Sequence, residues 1–183
     1  VGPEKTPYMN GIFEFDVFFP DTYPNSPPKV LLYTTGCGAV RFNPNLYNSG
    51  KVCLSLLGTW SGNEGESWIT DSSTFLQVLV SIQSLILVDH PYFNEPGWER
   101  DMHTEKGKEA SFDYNDNIRF QTLKWAIIDQ YKNPVPGFES IIKTHIEMKK
   151  DEILDTINIW EKESIKFKEP LTLLKNIFIK MFE

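Results

Sequence analysis

Cys53 opens a short apolar stretch, Cys53-Leu54-Ser55-Leu56-Leu57, after a turn-forming Asn43-Pro44-Asn45 and a hairpin at Ser49-Gly50. A thiol is the one ordinary side chain that can carry an acyl group as a thioester. Its thiolate needs little activation compared with serine. The competing reading of an isolated cysteine is a small buried hydrophobe. A Cys-His hydrolase would need a histidine oriented by a third group. His90 is the only histidine the reading brings near Cys53, and nothing in its spacing supports such a pair. His103 sits in a polar loop and His145 on a helix face, and both read as structural or exposed. No Cys/His cluster has metal-ligand spacing, and no glycine-rich loop has the P-loop pattern.

Several elements must position the thiol. Residues 12–19 alternate, with Phe13, Phe15, Val17 and Phe19 on one face, and predict a strand. Asp21 to Pro28 is a proline-rich corner, and Lys29 to Thr35 predicts the next strand. Residues 43–57 form an irregular segment presenting Cys53. Ser61 to Asp71, with Glu64 and Glu66, reads as a mobile polar loop. Thr74-Phe75-Leu76-Gln77 predicts a capping box. It opens a largely buried helix through Leu76, Leu79, Val80, Ile82, Leu85 and Ile86. His90 to Lys108 reads as a second loop. Tyr114 to Lys132 reads as a helix that stops before Asn133-Pro134. One long amphipathic helix is expected from Phe138 to about Lys166, then a short one from Leu171 to Phe182 after the breaker Pro170.

At 183 residues the chain fits one domain, or one domain with an extension. A net charge of -7 without a dense basic run argues against a nucleic-acid partner. No apolar run spans a bilayer, so no membrane partner is expected. Cys37 and Cys53 do not make a disulfide framework, and a reducing, cytoplasmic setting is expected.

The order and spacing of these motifs resemble the ubiquitin-conjugating (UBC) enzyme family. The resemblance spans about Gly2 to Trp125 and rests on Gly2-Pro3, Thr6-Pro7-Tyr8, Gly11, Tyr23-Pro24, Pro27-Pro28, Asn45 and Cys53. It implies an α+β UBC fold, an antiparallel sheet packed against helices. A core over 1–132 would carry a helical C-terminal extension over 133–183. The family's N-terminal helix and first strand would lie upstream of Val1.

The resemblance also implies a mechanism. Cys53 would accept ubiquitin from an activating enzyme as a thioester, and a lysine of a substrate protein would then attack. ATP would be used by the activating enzyme, leaving no cofactor here. Asn45 would either donate to the developing oxyanion or brace the loop through backbone bonds. Asn94-Glu95-Pro96 matches the acidic position after the central helix, with Glu95 the first choice and Asn94 the second for easing deprotonation of the lysine. Their alternative is an ordinary solvated loop. A different class of function is a non-catalytic UBC variant that binds ubiquitin or a partner, although such variants usually lack the cysteine.

Departures from the family pattern carry expectations of their own. Asn43 stands where the family has a structural histidine. The segment after Cys53 is enlarged and acidic, suited to gating substrate lysines. Trp68 matches the family's tryptophan there, with Trp60 as the competing choice. Asn25 and Ser26 replace an exposed aromatic or basic pair, which implies weak binding to a typical RING-type ubiquitin ligase. Arg41-Phe42-Asn43-Pro44-Asn45-Leu46-Tyr47 and Pro91-Tyr92-Phe93-Asn94-Glu95-Pro96-Gly97 point to the large hybrid conjugating enzyme/ligases of the BRUCE/Apollon kind.

Overall fold

The computed structural model describes residues 1–61 and 65–183. Glu64 of the expected acidic loop lies outside them. The alternating run becomes strand β1 (Phe15–Phe18), paired antiparallel with β2 (Lys29–Leu32), with Phe15 opposite Leu32 and Phe18 opposite Lys29. Both strands are shorter than the pattern suggests. At their open end the Thr34 side chain replaces a ladder partner: Glu14 N donates to Thr34 Oγ1 at 2.9 Å. The Gly50 hairpin then runs beside β2, where Leu32 N donates to Gly50 O at 2.8 Å. Gly50 has φ +89°, and a Cβ there would stand 2.6 Å from that same strand's Leu32 O, so the close approach requires glycine.

Helix α1 (Phe75–Ser81) begins with the expected capping box. Thr74 Oγ1 accepts from Gln77 N, and Gln77 Oε1 accepts from Thr74 N at 2.7 Å. A π-helical turn, Ile82–Ile86, continues it. The expectation that this helix is largely buried is corrected. Val78, Ile82 and Ile86 enter the core, while Leu76 (67% exposed), Leu79, Val80 and Leu85 (60%) face outward. The inward face joins Leu32, Phe42 and Leu46 in one apolar cluster, while the apolar residues on the other faces stand exposed.

Helix α2 (Glu105–Gln121) starts nine residues before the expected Tyr114, because Thr104 caps it by accepting from Gly107 N at 3.0 Å. It continues through a π-helical stretch, Thr122–Asp129, into α3 (Gln130–Lys132), and ends before Pro134 as expected. The single long helix expected from Phe138 is two helices, α4 (Glu139–Met148) and α5 (Lys150–Glu163). Lys149 breaks them with φ −97° and ψ 8°. The break lets Ile142 and Ile146 of one and Ile153 and Ile157 of the other enter a common core. Helix α6 (Lys168–Lys180) starts ahead of Pro170. The proline occupies the first turn, where its missing N–H has no intrahelical acceptor, so it is not a breaker.

Two apolar cores result. The first joins Tyr8, Phe42, Leu46, Val52, Ile86 and Ile118. The second joins Leu123 and Ile127 to Ile146, Ile157, Leu171 and Phe178 of the C-terminal helices. The continuous helical run 105–132 lines both. No helix among the described residues is long and apolar enough to cross a membrane.

Candidate active site

The Asn-Pro-Asn turn is built by its first residue. Asn43 O accepts from Leu46 N at 2.9 Å, and Asn43 Oδ1 accepts from Asn45 N at 2.8 Å, an Asx-type turn. The same oxygen accepts from Asn94 Nδ2 at 3.3 Å. Asn43 Nδ2 donates to Ile86 O at 2.7 Å and lies 3.3 Å from the Tyr8 hydroxyl. That hydroxyl donates to Phe42 O at 2.7 Å. The fully buried Asn43 amide therefore ties the turn to the end of the α1 helical run, to the loop carrying Asn94 and to Tyr8. Asparagine suits this place because its amide offers both donors and an acceptor there.

From this turn the chain reaches Cys53 with its backbone gripped on both sides. Cys53 N donates to Asn45 O at 2.9 Å, and Asn45 Nδ2 donates to Cys53 O at 2.9 Å. Cys53 is 2% exposed. Beyond it, a 3₁₀ turn (Ser55–Leu57) is closed by Gly58 in the left-handed region. Thr59 clamps the loop, with its Oγ1 donating to Val52 O at 2.6 Å and accepting from Leu54 N at 3.0 Å.

Asn45, Cys53, Trp60, Leu85, Ile86 and Asn94 line one open cleft of about 210 Å³. The structure thus brings three of the four sequence-derived residues together. Asn45's side chain makes the loop-bracing bond. Asn94, on the 3₁₀ turn Pro91–Asn94, also donates to Leu85 O at 2.8 Å. Glu95 turns away from the cleft lining and pairs with Arg41 Nη2 at 3.3 Å. Arg41 in turn donates to Pro44 O and lies 4.4 Å from the Tyr47 ring centre. Both charges of the pair are over a third exposed, so solvent screening leaves the pair weak. His90 is absent from the cleft lining, and its Nδ1 lies 3.2 Å from Ser111 Oγ.

The two tryptophans separate cleanly. Trp68 Nε1 donates to Pro24 O at 2.7 Å and its ring packs on Tyr23, so it fastens the loop to the proline-rich corner. Trp60 lines the Cys53 cleft. Of the two choices the sequence offers for the tryptophan after Cys53, it is thus the competing one, Trp60, that stands at the cleft, while the bracing roles of Tyr8 and Thr59 were not read from the sequence.

Comparison with known proteins agrees with this geometry. The family profile described as Ubiquitin-conjugating enzyme matches residues 1–122. The chain is 55% identical over 163 residues to "Probable ubiquitin-conjugating enzyme E2 R521" of Acanthamoeba polyphaga mimivirus, a match covering 89% of this chain and 11% of that protein. It is 57% identical over 159 residues to "Dual E2 ubiquitin-conjugating enzyme/E3 ubiquitin-protein ligase BIRC6" of Homo sapiens, covering 87% of this chain and 3% of that protein. It is 54% identical over 159 residues to "Probable ubiquitin-conjugating enzyme protein 17" of Caenorhabditis elegans, covering 87% of this chain and 22% of that protein. The chain thus spans under a quarter of the length of each of these three relatives. At 87–89% coverage these matches run past residue 132 into the C-terminal helices. With a family profile across two thirds of its length and a cysteine cleft built on the Asn-Pro-Asn turn, this chain belongs to the ubiquitin-conjugating enzyme family.

Proposed function

We propose that the chain carries ubiquitin as a thioester on Cys53 and passes it to a lysine of a substrate protein. The supporting observation is that Cys53 shares its cleft with Asn45 and Asn94, on a backbone fixed by reciprocal bonds with Asn45. In the first step the Cys53 thiolate attacks the ubiquitin thioester on an activating enzyme, whose own thiolate leaves. In the second, a neutral lysine amine attacks the Cys53 thioester carbonyl. The carbonyl oxygen becomes an oxyanion, the C–S bond breaks, the nitrogen loses a proton and an isopeptide bond remains.

Asn45 Nδ2 is the candidate oxyanion donor, released from Cys53 O as the tetrahedral adduct forms. Asn94 is the polar group at the opposite wall for the incoming amine. Glu95 would assist deprotonation after leaving Arg41. No cofactor is required at the cleft, because ATP is spent by the activating enzyme. The partners are ubiquitin, that enzyme, a substrate and a ubiquitin ligase, in the reducing cytoplasm.

The test is a non-reducing gel after mixing the protein with activating enzyme, ATP and ubiquitin. A reductant-sensitive adduct is expected that vanishes in Cys53→Ala and persists in Cys37→Ala. No adduct from folded protein, with other ubiquitin-like modifiers also tried, would favour the reading as a non-catalytic binding module.

A further inference from the structure

Trp60 is held at the cleft without a role in the steps above. It is 43% exposed, although an indole gains more from burial than most side chains. Two features fix it there. The Thr59 clamp sets the backbone just before it, and Gly58 turns the chain out of the Ser55–Leu57 helix towards the cleft. The opposite wall carries Leu85, Ile86 and Asn94, and no charged side chain lines the cleft among the described residues. At the mouth Ser55, itself a lining residue, donates to Glu66 Oε2 at 3.2 Å, which sets a carboxylate beside the entrance.

An apolar wall, an open indole and a nearby carboxylate suit one kind of visitor: a four-carbon stem ending in a positive charge. We propose that Trp60 is a specificity residue that captures the incoming lysine, packing its stem and holding its charged nitrogen by cation–π attraction. The inference rests on the thioester reading above. The nitrogen carries positive charge as the captured ammonium, and again in the adduct just after attack, before its proton is lost. The attraction therefore acts on bound lysine and transition state alike, so it belongs in KM and leaves kcat nearly unchanged.

The experiment uses Cys53–ubiquitin thioester formed on wild-type, Trp60→Phe and Trp60→Leu protein. Activating enzyme is quenched, and single-turnover discharge is followed against increasing Nα-acetyl-lysine. Hydroxylamine, a small amine without a stem or a charge at neutral pH, is the reference nucleophile. Phenylalanine keeps an aromatic face, whereas leucine keeps only apolar bulk. Half-saturating lysine should rise in the order Trp, Phe, Leu, about two- to five-fold in Trp60→Leu, with the maximal rate little changed. The lysine-to-hydroxylamine discharge ratio at low concentration should fall in the same order. Equal losses toward both nucleophiles, a change confined to the maximal rate, or no difference between the Phe and Leu variants overturns the proposal. Failure of the wild-type protein to form any thioester overturns the underlying reading instead, so the two failures are distinguishable.

Discussion

Asn43 carries more of the site's architecture than its neighbours. Its amide serves Asn45 N, Asn94 Nδ2, Ile86 O and the Tyr8 hydroxyl, and the residue is fully buried. Asn43→Ala would strand buried donors and acceptors. It should destabilise the fold by roughly 1–3 kcal/mol, read as a lower midpoint in urea unfolding. An unchanged midpoint would mean the turn is held by Asn43 O alone. Tyr8, its partner, predicts a pH effect. Burial first, and then the neighbouring Tyr114, raise its hydroxyl well above the usual range, against the opposing bond to Asn43. Burial likewise raises Tyr114. The unfolded chain releases these protons near pH ~10, whereas the folded chain holds them. Folding is therefore fully favoured below that pH, and the advantage is lost as pH rises beyond it. Melting temperature should fall above pH ~10, and less steeply in Tyr8→Phe. Parallel slopes in the two proteins would remove Tyr8 as the cause.

At the scale of elements, sequence and structure part company where tertiary context decides. The Thr74–Gln77 capping box and the stop before Pro134 were legible because their chemistry is local. The turn at Asn43 and the place of Cys53 after it were legible for the same reason. Helix α1 was misjudged because its apolar residues run around the whole circumference, and only packing shows which of them are covered. The start of α2 at Thr104 was hidden in a stretch rich in charge, where a threonine cap competes with loop composition. The break at Lys149 has no glycine or proline to mark it. It exists because the two apolar stripes on either side must meet the same core. Pro170 read as an end when it marks a beginning, which one proline by itself does not distinguish. In the cleft, a chain-order argument could place Asn94 and Glu95 side by side. It could not show that adjacent residues point to different partners, one to Leu85 O and the other to Arg41.

For the whole molecule, the C-terminal helices matter because Leu123, Ile127 and Ile128 are buried only with their help. Removing everything after Lys132 would bare that face. Such a truncated protein should be insoluble or lose its folded near-UV circular dichroism. Retained folding, with loss of association with another protein, would instead make the extension a docking element. The 105–132 run also has a thermodynamic meaning. It supplies Ile118 to one core and Leu123 to the other, less than two helical turns away. A helix that frays at its middle loses both contacts together, since each turn's hydrogen bonds hold the next in place. Two cores that share such a wall should melt together, so scanning calorimetry is expected to give one transition whose calorimetric and van't Hoff enthalpies agree, although the apolar interior is divided in two.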